Sequence, residues 1–505
     1  MTKKAFLILL FIFILCVFSR LFKFATYFTL GTDQAQAFTI AEKVFDGKET
    51  ILLGYGPPQF NIVAPTYHLI VTLLFYLFRN EFLVTLVIVL ISIFTVLILF
   101  ALTTEISGIK TALLASLLYS VSNVLTYTSR DLPHPMVSFF LLLSFYFLFK
   151  NLVQIKSKYL VLSFIFFLFS LMYISTYLLI PAYLLIFFAV NLFQRKIYGK
   201  KAFIILPVVI LLFSIFYLPV FYYHYLNNFK EFANIPEMLT VGDNFLLLKP
   251  LSIVYSIARH LEGFAQGFFQ TPNELLNILL FFFVMAVLTV VLISKDRTRL
   301  YMLILSLVFI SGLILAGIYP GQVYMHRLIV FFPIFIILFS SALIKLTKFS
   351  RSKIFLAAVF IICIVYIYHN QKNLAQFLYQ NEFVVDHLQK VADFIAKNAN
   401  NKPYSILLIT PHDQSGYYSL EYIYALKKLP AYQIPIRMDI RGELYYDFNP
   451  DRDYSILICK EFSDYHEVET RCLNVFLNKY GWRQFLLNKK IDTINVFVFE
   501  NNKQI

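Results

Sequence analysis

The chain has 505 residues, 59% of them hydrophobic and 18% aromatic but only 14% charged, and its mean hydropathy is +0.71. Soluble domains carry about 25% charged residues, so this composition excludes a wholly soluble protein. The formal charge of +14 does not point to nucleic acid: from Gln371 onward 16 basic residues face 16 acidic ones, and the excess sits in the apolar part, where it reads as an orientation signal.

The chain begins with Lys3 and Lys4 followed by "AFLILLFIFILCVFSRLF". No small-residue cleavage site follows, and the apolar run is long for a signal peptide, so it reads as an uncleaved anchor. Apolar segments of spanning character then recur at 5–22, 82–103, 111–127, 136–149, 159–175, 177–193, 202–223, 275–293, 301–318, 327–344 and 354–367. The segment 62–78, "IVAPTYHLIVTLLFYLF" from its first isoleucine, is ambiguous, because its proline, threonine, tyrosine and histidine crowd the first half.

Charge decides that ambiguity. If 62–78 does not cross, the basic clusters around Lys150, Lys196, Lys295 and Lys348 all share a side with Lys3 and Lys4. If it crosses, every one of them moves to the opposite face. We therefore read 62–78 as an interfacial or re-entrant helix, giving about eleven spans, a cytoplasmic N-terminus and an extracytoplasmic tail. The outer loops then lie at about 23–81, 128–135 and 224–272, and the expected domains are 1–370 and 371–505.

Between residues 30 and 49 the chain reads "LGTDQAQAFTIAEKVFDGKE". Thr32 or Asp33 suits an N-cap, Ala37, Phe38, Ala41, Val44 and Phe45 repeat at helical spacing, and Gly47 suits a stop. A carboxylate at the positive end of a surface helix is held ionised, as a general base or a cation ligand requires. The same residue also fits a plain helix cap. The topology puts Asp131 on the same face. His68 and His134 fall at outer edges, where they suit acceptor or metal contacts or a merely interfacial role. The loop 224–272 carries Glu231, Asp243, Arg259, His260 and Glu262; it suits acceptor or lid territory, and Arg259 with Glu262 has the spacing of a structural helix pair.

From residue 371 the pattern changes. A helix-like run at 383–400 precedes the strand-like "YSILLIT", a helix-like "SLEYIYALKKL", the strand-like "YSILICK", a helix at about 467–480 and the strand-like "TINVFVFEN". This alternation predicts a small soluble α/β domain. It contains no phosphate-cradling glycine loop and no metal motif. His412, Asp413 and Ser415 are neighbours in a loop and do not make a triad. Cys459 and Cys472 either pair or stay as free thiols, while Cys16 and Cys363 fall inside apolar segments.

Three stretches together carry a family resemblance. Arg20 in "FSRLF" precedes "DQAQAFTIAEKVFDGK" and "LLGYGPPQFNIVAPTYHLIV"; "YTSRDLPHPMVSFFLLLSFYFLF" contains Asp131; and "GQVYMHRLIVFFPIFIILFSSAL" contains Arg327. In order and sidedness these resemble the GT-C superfamily of polytopic glycosyltransferases, in particular the protein O-mannosyltransferases and the lipid A aminoarabinose transferases. The resemblance covers roughly residues 5–370. It implies a mostly α-helical polytopic membrane protein with two juxtamembrane helices in the first outer loop, at 33–46 and 62–78.

The resemblance further implies a polyprenyl-phosphate sugar as donor and a protein, lipid or glycan as acceptor, at the outer face of the inner (cytoplasmic) membrane of a prokaryote. Asp33 would be the catalytic base of an inverting transfer and Asp131 a second acidic participant. Arg327 and Arg20 would bind the donor phosphate, and Gln34, His68, His134, Arg259 and His260 would serve as acceptor or accessory residues. A divalent cation is compatible with the two aspartates, though no motif demands one. The sequence departs from the family in two places: Gln34 stands where a second acid is common, and "NIVAPTYH" lacks the acid and lysine that usually precede the second juxtamembrane helix. A flippase, a lipid-linked glycan polymerase or ligase, and an inactive interaction module are the competing readings. Flippases usually bury charge in mid-span, and these spans contain almost none.

Overall fold

The structure, a computed structural model, describes residues 2–24, 32–47, 50–51, 63–130, 133–172, 177, 179–198, 202–230, 250–270, 273–293, 299–318, 328–349, 353–372, 390, 393–394, 397–398, 404–409, 454–460, 484–491 and 494–500. It divides into two compact units, one comprising 1–22 with 43–377 and the other 23–42 with 378–505.

The first unit is helical. Its leading elements are α1 (Lys3–Leu21), α3 (Thr66–Phe78), α4 (Glu81–Ser107), α5 (Ile109–Val121), α6 (Asn123–Thr128), α7 (Pro133–Gln154) and α8 (Ser157–Ser170), with α2 (Thr32–Phe45) ending in it. Then come α9 (Ile180–Tyr198), α10 (Ala202–Leu226), α11 (Pro250–Phe269), α12 (Glu274–Ile293), α13 (Arg299–Ile318), a 3-10 turn (Ile329–Phe331), α14 (Phe332–Phe349) and α15 (Lys353–Lys372). A helix therefore overlies each of the eleven apolar segments. Among the described residues four stretches, Lys3–Leu21, Glu81–Ser107, Pro133–Gln154 and Pro207–Leu226, are individually long and apolar enough to cross a membrane, and seven shorter apolar helices accompany them. The chain is a multi-pass membrane protein.

Local chemistry sets the helix ends. Thr2 Oγ1 accepts from Ala5 N at the start of α1, and Asn80 Oδ1 accepts from Leu83 N at the start of α4. The predicted span 111–127 is broken: Ser122 is extended and its Oγ accepts from Leu125 N, which ends α5 and starts α6. Thirteen residues of α3 rise roughly 20 Å, short of the roughly 30 Å hydrocarbon core. Arg79, in the left-handed region, ends α3 by donating its N–H to Phe75 O, and Asn80 at once caps α4.

The α4–α5 turn depends on Gly108, whose φ of 85° and ψ of 170° fall where only glycine is comfortable. Gly108→Ala is expected to cost on the order of 1–3 kcal/mol, read as a lower unfolding temperature in detergent with little change in any binding constant.

Packing is aromatic on one side of the bundle. Phe264 of α11 lies 5.2 Å from Phe309, 4.9 Å from Phe332 and 5.1 Å from Phe335, and Phe268 lies 4.8 Å from Phe335 and 5.2 Å from Tyr366. Edge-on and tilted pairs of this kind add to area burial. Elsewhere polar groups inside the bundle find one another. Ser144 Oγ donates to Tyr183 Oη at 3.0 Å, Ser163 Oγ lies 2.6 Å from the same oxygen, and Phe167 stacks on the Tyr183 ring at 3.6 Å.

The second unit contains a four-stranded sheet of β1 (Tyr404–Ile409), β2 (Tyr454–Lys460), β3 (Gln484–Ile491) and β4 (Ile494–Glu500), in the order β1-β2-β4-β3. The β1–β2 pair is parallel, with Tyr404 opposite Tyr454, and the other two pairs are antiparallel. β4 is central, and its Val496, Phe497 and Val498 are all buried, which explains its unbroken apolar run. Strand β3, "QFLLNKKI", was not expected from the sequence. The helices anticipated at 383–400, 419–429 and 467–480 fall largely or wholly outside the described residues, as does Cys472. Also assigned to this unit is most of α2, which buries Gln34, Ala37, Phe38 and Ala41 along one face.

Candidate functional site

Four helices, α1, α5, α11 and α15, bring their C-terminal ends together, and two arginines bind those of α1 and α5. Arg20, in the last turn of α1, is fully buried. Its Nε donates to Ser92 Oγ at 3.0 Å, Nη1 to Ser120 O at 3.3 Å and to Ser19 Oγ at 3.4 Å, and Nη2 to Tyr119 O at 3.1 Å. The guanidinium carbon also lies 4.7 Å from the centroid of the Tyr119 ring. Arg20 thus satisfies carbonyls in the last turn of α5, which no helix can satisfy internally and which carry the negative end of its dipole. Arg130, equally buried, does the same for α1: its Nη2 donates to Phe22 O at 2.7 Å and to Arg20 O at 3.3 Å.

Carboxamides extend this layer. Asn123 N donates to Asn370 Oδ1 at 2.8 Å, Gln371 Nε2 donates to Val121 O at 2.8 Å, and Asn123 Nδ2 donates to Gln270 Oε1 at 3.4 Å. The last turns of α5, α11 and α15 are thereby tied to the start of α6. This polar end of the bundle is where the chain leaves α1 and where α7 begins, with His134 buried in its first turn.

The return of that loop is also buried. Residues Val63 to His68 are all shielded, Ala64 N donates to Tyr177 Oη at 3.1 Å, and Tyr217 Oη donates to Tyr177 Oη at 2.8 Å. Two tyrosines from distant segments therefore fix the backbone just ahead of α3. The His68 ring lies 5.1 Å from that of Tyr67, its Nδ1 has no hydrogen-bond partner among the described residues, and burial pushes the imidazole down to about 4.

A neutral His68 suits hydrogen bonding rather than charge pairing. Because its folded value lies below the ordinary 6.5, the unfolded chain takes up its proton first, so stability is intact above about pH 6.5 and falls as pH drops towards 4. We expect His68→Gln to shrink the difference in unfolding temperature between pH 7 and pH 4.5; an unchanged difference would show that His68 does not contribute to it.

The other sequence-derived residues fall as follows. Gln34 is buried on the packed face of α2, in the unit that holds the sheet. Arg259 is exposed and lies 5.9 Å over the Tyr255 ring, while Glu262 accepts from Gln266 Nε2; the expected Arg259–Glu262 pair is replaced by these separate contacts. His260 is buried. The Asp33 side chain, Asp131 and Arg327 lie outside the described residues, although α2 places the Asp33 backbone in its first turn. Among the described residues no three His, Cys, Asp or Glu side chains group to hold a metal ion. The sequence reading missed the capping role of Arg130, the Tyr177–Tyr217 pair and the carboxamide layer. Arg20 offered a signal, being the basic residue of the last turn of its helix.

No protein-family model matches the sequence, and no curated protein matches it either. Solved structures do. ArnT from Cupriavidus metallidurans bound to undecaprenyl phosphate aligns over 100% of this chain and 99% of its own, with a TM-score of 0.60 at 10% identity. The same protein in the apo state aligns over 95% and 97% with a TM-score of 0.56, also at 10% identity. The chain has the GT-C fold. The oligosaccharyltransferase of Archaeoglobus fulgidus in the apo form is a more distant GT-C likeness, with a TM-score of 0.51 at 13% identity over 85% of this chain and 64% of that one. The polar layer around Arg20 and Arg130 lies at the end of α1 and ahead of the start of α7.

Proposed function

We propose that this protein is a membrane glycosyltransferase that moves a sugar from a polyprenyl-phosphate donor to a protein, lipid or glycan acceptor at the outer face of the cytoplasmic membrane. The observation that supports it most is end-to-end similarity in fold to an enzyme crystallised with undecaprenyl phosphate. The weaker and partial likeness to the oligosaccharyltransferase favours the first of these as the guide. The positive-inside distribution supports a cytoplasmic N-terminus and an extracytoplasmic C-terminal α/β domain.

In this reading Asp33 accepts the proton of the acceptor hydroxyl or amine as that atom bonds to the anomeric carbon. The carbon–oxygen bond to the phosphate breaks, polyprenyl phosphate departs, and the anomeric configuration inverts. Arg327 bonds the phosphate oxygens as negative charge gathers on them. Asp131 orients the acceptor. Arg20 carried a phosphate-binding expectation too, but with its three nitrogens donating to the Ser92 and Ser19 hydroxyls and to the carbonyls of Tyr119 and Ser120 we assign it to bracing the helices. A cation shared by Asp33 and Asp131 is compatible with the scheme and no step requires it.

The test is transfer of label from radiolabelled polyprenyl-phosphate sugars into membrane fractions, comparing the wild-type chain with Asp33→Asn at matched expression. Transfer lost only in the variant supports the reading. Equal transfer in both removes Asp33 as the base, and no transfer by either across a panel of donors turns the reading towards a transporter or an inactive relative.

A further inference from the structure

Arg79 closes α3 with a φ of 48° and a ψ of 33°. Glycine adopts this left-handed conformation freely, whereas an arginine there carries the clash of its Cβ. Glycine would make the same turn into α4, so the strain is offset by something that the arginine side chain does. Among the described residues that side chain has one ring or polar partner: its guanidinium carbon lies 4.4 Å from the centroid of the Phe45 ring, at the end of α2. The Phe45 ring in turn lies 5.9 Å from that of Tyr76, on the last turn of α3. The ends of α2 and α3 together form an aromatic platform that carries a cation.

The cation is exposed. Among the described residues none of its five N–H donors reaches an acceptor, and neither Asp46, beside Phe45, nor Glu81, two residues on, pairs with it. Arg20 is its opposite, being buried and donating from all three nitrogens.

The surroundings of Arg79 identify what meets those donors. Leu69, Leu73, Tyr76 and Leu77 fall at i, i+4, i+7 and i+8 on α3 and are all exposed, while Tyr67, His68 and Val71 on its other side are buried. In a membrane protein such an apolar face is covered by acyl chains. The charge distribution places the start of α4 at the outer face, so Arg79, in the turn just before it, lies at the level of the outer headgroups. A long cationic side chain at the end of a lipid-facing stripe reaches the phosphates there, and a guanidinium can make paired hydrogen bonds to phosphate oxygens.

We propose that Arg79, braced by Phe45 and Tyr76, binds the headgroup phosphate of an anionic phospholipid whose acyl chains lie along the exposed face of α3. The bound lipid ties the joined ends of α2 and α3 to the outer leaflet. Because this face is exposed, its occupant is a lipid of the surrounding leaflet, and the site does not depend on the transfer reaction proposed above.

The experiment titrates phosphatidylglycerol into the full chain purified in detergent and follows bound lipid by native mass spectrometry, with unfolding temperature recorded alongside. Phosphatidylcholine and undecaprenyl phosphate are titrated in parallel. Wild type is compared with Arg79→Gln, Arg79→Gly and Arg299→Gln, the last removing an exposed cation at the start of α13. We expect wild type to prefer phosphatidylglycerol over phosphatidylcholine about fivefold, both Arg79 variants to weaken phosphatidylglycerol binding about fivefold, and Arg299→Gln to stay within about twofold of wild type. Glycine relieves the left-handed strain, so lipid-free Arg79→Gly should unfold no lower than wild type, which separates lost binding from a damaged fold. Unchanged phosphatidylglycerol binding in the Arg79 variants overturns the proposal, as does a loss that only follows a fallen unfolding temperature in both. An equal loss in Arg299→Gln marks diffuse attraction to positive charge, and equal binding of phosphatidylcholine marks an unselective contact; either result also overturns it. If undecaprenyl phosphate binds more tightly than phosphatidylglycerol and is the lipid weakened by the Arg79 variants, the site belongs to the donor and the phospholipid assignment falls.

Discussion

Asp33→Asn is expected to reduce sugar transfer by about 10²- to 10⁴-fold, the range that a positioned general base contributes. The substitution is informative because it separates the two roles that Asp33 fits. With α2 starting at Thr32, Asp33 stands inside the first turn rather than at the cap, so a residue that only complements the helix N-terminus would lose about 0.3–1 kcal/mol of stability as asparagine and keep its activity. A base would not, since a carboxamide cannot take the acceptor's proton. The helix supports the charged role. Asp33 lies in the first turn of α2, where the partial positive charge of the backbone N–H groups favours a carboxylate. The buried face of α2, formed by Gln34, Ala37, Phe38 and Ala41 at i, i+3, i+4 and i+7, fixes the rotation of the helix. Kinetics would show a fall in kcat and kcat/KM together, with unchanged binding of undecaprenyl phosphate. Activity within about threefold of wild type would sink the assignment.

Much of the helical unit was legible because lipid demands long apolar runs and punishes charge. Each of the eleven segments read from hydropathy carries a helix, and α2 ends with Gly47 in the left-handed conformation as its glycine stop predicts. What escaped notice is equally physical. Helix α11 mixes Arg259, His260, Glu262, Gln266 and two glycines with its apolar residues, so no window is greasy; its signal was the Phe264–Phe268 spacing of one turn, and the partners that give those rings a role come from α13 and α14, far along the chain. Strand β3 carries two adjacent lysines and sits at the edge of its sheet, where alternation is weak and charge is usual. Ser122 broke a segment that hydropathy joined, because a hydroxyl that caps a helix barely alters the apolar average. At the site, Arg20 could be found from sequence but its partners could not. Three of its acceptors, Ser92 Oγ and the carbonyls of Tyr119 and Ser120, lie 72 to 100 residues away, and two of those are backbone atoms that no side-chain pattern reveals.

Arg20→Ala is expected to destabilise the helical unit by on the order of 3–5 kcal/mol. Hydrogen bonds to a charged group contribute about 1.5–3 kcal/mol each, though not additively, and truncation leaves buried acceptors without donors as well as a cavity. The guanidinium currently satisfies two carbonyls at the end of α5 and the Ser92 hydroxyl, and its charge is offset by the α5 dipole and the Tyr119 ring. Lysine keeps the charge but replaces a fork with a single point, so Arg20→Lys should fall between alanine and wild type. Ser92→Ala, which removes one acceptor, should cost only about 1 kcal/mol. The measurement is the unfolding temperature of the purified chain in detergent, paired with its affinity for undecaprenyl phosphate. A brace predicts a large fall in unfolding temperature for alanine, a smaller one for lysine, and a loss of affinity that follows stability across the series. A direct phosphate ligand predicts the reverse pattern, with near-normal unfolding and a selective loss of affinity, and that result would return Arg20 to the donor site.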